Sequence, residues 1–158
     1  MRNKQKGFSL IELLIVVAII LIIAAIAIPN LLRSRMAANE ASAVGSLRTL
    51  NTAAVTFSTQ CAGFPVGNML TAFGPPANAC VSADLIDSVL ALGTKSGYTF
   101  VGTGVDTDAD GRGDTYTITA RPSNFGTTGT RSFFTNESGV IRATTANAAA
   151  DVASTPIS

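Results

Sequence analysis

The fold of this chain is decided by the stretch Lys6-Gly7-Phe8-Ser9-Leu10-Ile11-Glu12-Leu13-Leu14-Ile15-Val16-Val17. It joins a short basic leader to an apolar run, and Glu12 is the only charged residue between Lys6 and Arg33. A helix rises about 1.5 Å per residue, so the roughly 20 positions from Leu13 to Leu32 are long enough to cross a hydrocarbon layer of about 30 Å. We therefore predict a membrane-spanning helix with one carboxylate near its start.

We expect Glu12 to have a cationic partner, because a carboxylate in such a helix costs on the order of a few kcal/mol in the membrane unless it is neutralised. If the chain is cut after Gly7, the amine of Phe8 becomes a cation about one helical turn from Glu12. The two groups can then form an ion pair, within one subunit or between neighbours. A pair between neighbours would fix the axial register of packed helices, which non-directional apolar contacts alone do not set.

The same residues resemble the class III signal segment of type IV pilins and of the related type II secretion pseudopilins. The resemblance rests on Gly7-Phe8-Ser9-Leu10-Ile11-Glu12, on the apolar run and on Pro29. It implies that a prepilin peptidase, which is also a methyltransferase, cuts between Gly7 and Phe8 and leaves N-methylphenylalanine at Phe8. It also implies that Glu12 acts in assembly and that the helix bends at Pro29.

The resemblance further implies a structural subunit and not an enzyme. The precursor would lie in the inner membrane, with a cytoplasmic N-terminus and a periplasmic head. It would then polymerise with copies of itself, driven by a pilus assembly platform and its ATPase, into an extracellular pilus. A periplasmic pseudopilus of a type II secretion system is the alternative that shares every N-terminal feature.

A membrane-anchored or secreted binding protein is a further alternative. The basic residues Arg2, Lys4 and Lys6 and the apolar run also fit a secretory signal cut after Ala27. A plain membrane anchor would explain the apolar run as well. Neither alternative has a use for Glu12.

Composition argues against several other classes of function. The chain has 158 residues, a net charge of +1, 13% charged residues, and neither His nor Trp. Without histidine the commonest general base is absent, and so are Ser-His and Cys-His nucleophile pairs. No basic stripe with interleaved aromatic residues marks a nucleic-acid surface. We therefore expect no catalysis, and no nucleic-acid partner is established.

Three segments are expected along the chain: a cleaved leader over 1–7, an apolar helix over 8–35 and a globular head over 36–158. In the head, an amphipathic helix over 36–58 has one apolar stripe at helical spacing. The members of the stripe are Val44, Leu47, Leu50, Ala54 and Phe57. The opposite, polar face carries Glu40, Arg48, Asn51 and Thr52.

The rest of the head is predicted to be an irregular segment over 59–97, a β-meander over 98–144 and a loose tail over 145–158. A short amphipathic helix is expected near 83–92. The meander would bury one face on the long helix. The predicted fold class is therefore α+β and pilin-like: a long N-terminal helix, apolar and then amphipathic, packed on a small antiparallel sheet.

Two cysteines, Cys61 and Cys80, bracket the first part of the irregular segment. In an oxidising compartment two cysteines of a small domain most often pair, so we expect a disulfide that closes a local loop. A metal pair and free thiols are the alternatives, and the absence of histidine weighs against the metal.

One acidic loop carries a pattern typical of calcium sites. Asp106, Asp108, Asp110 and Asp114 alternate around a glycine bend, as in loops of the Asp-x-Asp-x-Asp-Gly type. The first three would be direct ligands, and Asp114 would bind directly or through water. However, the position at which an EF-hand needs a bidentate glutamate is Thr117. A polar hairpin connection, with Asp and Gly selected for turn geometry, explains the same residues and takes precedence.

Overall fold

The structure is a computed structural model that describes residues 8–75 and 79–157. Its contacts divide the chain into two units, Met1–Arg35 and Met36–Ser158. The helices are α1 (Leu10–Cys61), α2 (Met69–Phe73) and α3 (Ser88–Ala91), with a 3₁₀ turn at Ala79–Val81. The strands are β1 (Gly67–Asn68), β2 (Thr94–Lys95), β3 (Tyr98–Val105), β4 (Thr115–Pro122), β5 (Ser132–Asn136), β6 (Arg142–Thr144) and β7 (Thr155–Pro156).

The long N-terminal helix and the α+β class are confirmed. α1 begins directly after Ser9, whose carbonyl accepts the first helical hydrogen bond from the Leu13 amide at 3.3 Å. Pro29 lies inside the helix. Because proline has no N–H, the carbonyl of Ala25 lacks its helical partner there, and a bend at Pro29 stays a prediction.

In the second unit, α1 buries one stripe of small and apolar side chains. Its members are Ala43, Leu47, Leu50, Ala53, Ala54 and Phe57. The steps of three and four residues keep them on one face of the helix. The prediction for Glu40 is wrong, because this residue belongs to the buried stripe and is only 6% exposed. It stands three residues before Ala43, so the helical period itself turns its side chain inward.

The sheet is antiparallel and has the order β1-β3-β4-β5-β6-β7, with β2 also pairing with β3. At its centre, β3 and β4 pair over their full lengths, from Tyr98 opposite Pro122 to Val105 opposite Thr115. Burial alternates along both strands. This alternation packs one face against the core and leaves the other face outward.

The segment between α1 and the sheet contains less helix than predicted. Only Ser88–Ala91 is helical, and the Asp87 side chain caps it by accepting the Leu90 amide at 2.7 Å. The amides of Ala83 and Leu85 bond instead to carbonyls of α2, those of Ala72 and Phe73. Long-range backbone hydrogen bonds therefore replace the predicted first turns of this helix.

The tail contains one short strand, β7, which the prediction of a loose tail over 145–158 did not include. β7 pairs with β6, and the Ile157 amide donates to the Ile141 carbonyl at 2.9 Å. Ala150 is 3% exposed and Phe134 is 5% exposed, although neither belongs to the main core cluster. Phe134 pairs with the half-buried Thr119 and so lies on the same, outward face of the sheet. We infer that the tail covers the outer face of β5.

Candidate functional site

The first unit exposes apolar side chains on all sides of α1. Phe8 is 77% exposed, Leu21 64% and Leu32 50%. Within the described residues, α1 is the one helix long and apolar enough to cross a membrane. Exposed apolar surface costs about 25 cal/mol per Å² in water, so this surface needs to be covered by lipid or by other apolar helices.

Glu12 caps the start of this helix. Its Oε2 accepts the backbone N–H of Ser9 at 2.9 Å. Ser9 directly precedes the helix and Glu12 follows three residues later, which is the spacing of a Ser-x-x-Glu capping box. The carboxylate thereby satisfies one of the four amides that a helix start leaves without a partner, and it lies at the positive end of the helix macrodipole.

The predicted partner of Glu12, the amine of Phe8, exists only after cleavage. In the intact chain that nitrogen is part of a peptide bond, and the amide of Ser9 occupies one carboxylate oxygen. A carboxylate offers about four lone-pair sites on two oxygens, so the cap does not exhaust its capacity for a cation. Gly7 and the leader 1–7 lie outside the described residues, and cleavage stays a prediction.

A second polar cluster, which the sequence analysis missed, centres on the buried carboxylate of Glu40. Its Oε1 accepts the amide of Thr130 at 2.8 Å and the hydroxyl of Thr130 at 3.1 Å. Its Oε2 accepts the Nε of Arg131 at 2.7 Å. One residue earlier, the side-chain amide of Asn39 donates to the Thr128 carbonyl at 3.0 Å. The cluster fastens the loop between β4 and β5 to α1.

The electrostatics of Glu40 favour its charged form. Burial raises the pKa of this carboxyl, but the hydrogen bonds from Thr130 and Arg131 outweigh burial and lower the pKa below its ordinary value. The Tyr98 hydroxyl donates to the Arg131 carbonyl at 2.8 Å. Burial and the nearby Glu40 charge raise the pKa of Tyr98, so this hydroxyl stays protonated.

The predicted disulfide is confirmed. Cys61, the last residue of α1, is bonded to Cys80 in the 3₁₀ turn, and their Cα atoms are 5.6 Å apart. The pairing rules out the alternatives of free thiols and a metal pair. The closed loop contains α2, whose Met69, Leu70 and Phe73 are buried in the core. The crosslink therefore holds a core element to the end of α1.

The acidic loop brings three of its four predicted ligands together. Oxygens of Asp106, Asp108 and Asp114 all lie within 4.8 Å of one another. Asp110 is not part of this group, which differs from the predicted set of four. Its Oδ1 accepts the Arg112 amide at 2.8 Å, an Asx-type contact that stabilises the turn.

The same carboxylates also stabilise the loop without an ion. Asp106 accepts the amides of Ala109 and Gly111, and Asp114 accepts the amide and hydroxyl of Thr107. The contacts with Thr107 lower the pKa of Asp114. Asp108 accepts the amide of Asp110, which lowers its pKa, but the charges of the neighbouring carboxylates and burial prevail and raise it. The loop thus concentrates negative charge at Asp108.

Comparisons with known proteins point to the N-terminal segment. Residues 2–28 match the family described as the prokaryotic N-terminal methylation motif. The chain is 68% identical over 40 residues to the type IV wide pilus major component PilA4 of Thermus thermophilus. The aligned residues are 25% of this chain and 30% of that protein. It is 48% identical over 54 residues to the type IV major pilin protein PilA of Myxococcus xanthus. Here the aligned residues are 34% of this chain and 24% of that protein.

The two relatives match only part of the chain, 25% and 34% of its length. The matches span less than a third of the length of either relative. No solved structure matches this chain. The chain therefore carries a prepilin-type methylation segment at its N-terminus, and part of the chain is similar to type IV pilins.

Proposed function

We propose that this chain is the structural subunit of a type IV pilus-like filament. It would be made as an inner-membrane precursor with a cytoplasmic N-terminus and a periplasmic head, cut between Gly7 and Phe8 and N-methylated at Phe8. The observation that carries the proposal is the exposed apolar half of α1 with Glu12 at its start. Lipid would cover this surface in the precursor, and the helices of other copies would cover it in the filament. The comparisons support a structural role and not an enzymatic one.

Glu12 would select the position at which a new subunit docks. Cleavage turns the nitrogen of Phe8 into an ammonium group, and an incoming subunit can offer it to the Glu12 carboxylate of a seated neighbour. Two unit charges 4 Å apart attract by about 4 kcal/mol at an effective dielectric constant of about 20. Apolar contacts are non-directional, so helices can shift along one another at little cost in free energy. An ion-pair attraction of this size would therefore fix their axial register.

Several partners follow from this assignment. A prepilin peptidase with methyltransferase activity would process the precursor at Gly7 and Phe8. An assembly platform with an ATPase would supply the work of moving the helix out of the membrane. Pro29 would let the helix adjust as it packs among its copies.

Mass spectrometry of the mature N-terminus is the direct test of processing. A terminal N-methylated Phe8 supports the proposal. A mature chain that starts at Ile28 would instead show ordinary secretion, and an intact Met1 would show a static anchor.

Filament yield in Glu12 variants tests the ion pair. Glu12→Gln keeps an acceptor for the Ser9 amide but removes the charge, whereas Glu12→Ala removes both. We expect both variants to accumulate in the membrane and to lose filaments, while Glu137→Gln, which changes an exposed carboxylate of the head, assembles normally. Normal yield of Glu12→Gln filaments would show that the helix cap, and not the ion pair, is what assembly needs.

A type II secretion pseudopilin is the second candidate. The acidic loop near the end of β3 is the observation that favours it, since Asp106, Asp108 and Asp114 lie close together there and would be the ligands of a calcium ion. Purified surface filaments that contain this chain would decide for a pilus. Loss of protein secretion without loss of surface filaments in a deletion strain would decide for a pseudopilus.

A further inference from the structure

The outward face of the sheet carries an open groove with a volume of about 750 Å³. Thr99 and Val101 of β3 and Thr119 and Arg121 of β4 form its floor. The loop after β4 closes one end, and the tail contributes one wall. A groove of this volume lies in the range of about 300–1,000 Å³ that is usual for ligand sites.

The chemistry of the groove is polar with a single positive charge. Its lining offers hydroxyls of Thr and Ser residues, the side-chain amides of Asn124 and Asn147, and the guanidinium of Arg121, with no carboxylate. Within residues 8–75 and 79–157, neither of the two ion pairs involves Arg121. This guanidinium therefore presents a planar fork of donors, the geometry that binds a carboxylate with two parallel hydrogen bonds.

The acidic loop does not neutralise Arg121. Arg121 pairs with Thr99 at one end of β3, whereas Val105 and Thr115 flank the acidic loop at the other end. The six residue steps from Thr99 to Val105 span about 20 Å, more than twice the Debye length of about 8 Å at physiological salt. An anion in the groove would thus meet Arg121 without strong repulsion from the loop.

The closed end of the groove is held in shape before any ligand arrives. The Thr128 amide donates to the Asn124 carbonyl at 2.9 Å, and the Gly126 amide donates to the Gly129 carbonyl at 2.8 Å. Phe125 remains 37% exposed at this end. The same loop continues to Thr130, which is bonded to Glu40 of α1. Binding would therefore pay little for ordering the loop.

We propose that this groove binds an acidic saccharide. Its carboxylate would pair with Arg121, the side-chain amides and hydroxyls would bond to its hydroxyl groups, and the ring of Phe125 would cover the apolar face of one sugar ring. An open, hydroxyl-lined groove with one cation and one exposed aromatic ring suits an extended, hydroxyl-rich anion. The groove is lined by residues of the head alone, so this inference does not depend on the N-terminal ion pair proposed for assembly.

The test is calorimetric titration of the full chain in a non-ionic detergent, with a tetramer of galacturonic acid as the probe. A tetramer of galactose and a peptide of four glutamates are the comparison ligands. We expect saturable binding of the galacturonate tetramer and binding at least roughly tenfold weaker for both comparison ligands, since one lacks the carboxylates and the other lacks the sugar hydroxyls. Equal binding of the peptide, or no saturable binding of the galacturonate tetramer, would overturn the proposal.

Matched variants locate the site. Arg121→Gln should weaken galacturonate binding by roughly tenfold or more, because a charge-assisted pair is lost. Arg48→Gln removes an exposed arginine of α1 outside the groove and should leave binding unchanged. Phe125→Ala should weaken galacturonate binding several-fold without changing the thermal unfolding temperature. Equal losses in Arg121→Gln and Arg48→Gln would show attraction by net charge and would exclude a site in the groove.

Discussion

Arg131 donates its Nε to Oε2 of Glu40 at 2.7 Å, and the two residues are 91 positions apart in the chain. This contact ties the loop before β5 to α1. Together with the amide and hydroxyl of Thr130, it gives the buried carboxylate three donors. Burying a carboxylate costs desolvation free energy. Only several well-placed donors such as these offset that cost.

Removing the Glu40 carboxylate should destabilise the head. Glu40→Ala leaves the Thr130 amide without its acceptor, and we expect a loss of about 1–3 kcal/mol in the free energy of unfolding. The loss in free energy of unfolding should not exceed this range, because the Arg131 side chain is 43% exposed and water can solvate its charge once Glu40 is removed. Denaturant unfolding followed by circular dichroism measures the loss. Glu137→Gln is the matched control and should change the free energy of unfolding little, and an equal loss in both variants would contradict the prediction.

The contribution of Glu40 should vanish in acid. Its pKa in the folded protein lies below the ordinary value of 4.5. The folded state therefore binds the proton less tightly than the unfolded state, so the stabilisation is present above the ordinary pKa and is lost as the pH falls through the folded pKa. The difference in unfolding temperature between the natural chain and Glu40→Gln should shrink as the pH is lowered from 6 to 3. A difference that does not change with pH would assign the effect to packing.

The elements that local periodicity encodes were predictable from the sequence. Apolar residues spaced three or four positions apart predicted the buried stripe of α1. The alternation of apolar and polar residues predicted β3 and β4. Glu40 shows the limit of this reasoning: its residue type suggested the polar face, whereas its position in the period places it on the buried stripe. The period was a better guide than the residue type, because a partner elsewhere in the chain satisfies the charge.

Features that depend on distant partners were not predictable. The tail was predicted to be loose because it is rich in Ala, Thr and Ser and shows no apolar period, yet its strand β7 pairs with β6. The segment near 83–92 has an amphipathic pattern, but backbone hydrogen bonds to α2 end its helix early. Asp110 fits a ligand pattern by spacing and instead binds the Arg112 amide. In each case a contact made only in the folded chain decides the outcome.

Loss of the disulfide should destabilise the head substantially. Cys61 and Cys80 are 19 positions apart, and closing a loop of this size stabilises a domain by about 3 kcal/mol under the chain-entropy model. The double variant Cys61→Ser/Cys80→Ser should unfold at a lower temperature than the natural chain. A thiol reductant should lower the unfolding temperature of the natural chain and leave that of the double variant unchanged. A reductant effect of equal size in both proteins would contradict this account.

Calcium should raise the unfolding temperature if the acidic loop binds it. The ion would relieve the mutual repulsion of Asp106, Asp108 and Asp114. The charge of Asp110, and after it those of Asp114 and Asp106, raises the pKa of Asp108. Asp108→Ala should abolish the increase at millimolar calcium, whereas Asp110→Ala, outside the group of three, should retain it. Scanning calorimetry with and without a chelator provides the measurement. No increase in the natural chain would leave the loop as a turn stabilised by its own amides.

The close packing of β3 on the segment after α1 should make Gly104 intolerant of any side chain. A Cβ atom at Gly104 would lie 1.9 Å from the carbonyl oxygen of Pro65, and a backbone atom cannot move aside easily. We expect Gly104→Ala to cost about 1–3 kcal/mol in the free energy of unfolding, as overpacking usually does. Gly45, on the exposed side of α1, is the matched control because a Cβ there meets nothing within 4 Å. Gly45→Ala should stabilise the chain by up to about 1 kcal/mol through helix propensity, so the two substitutions should shift the unfolding temperature in opposite directions.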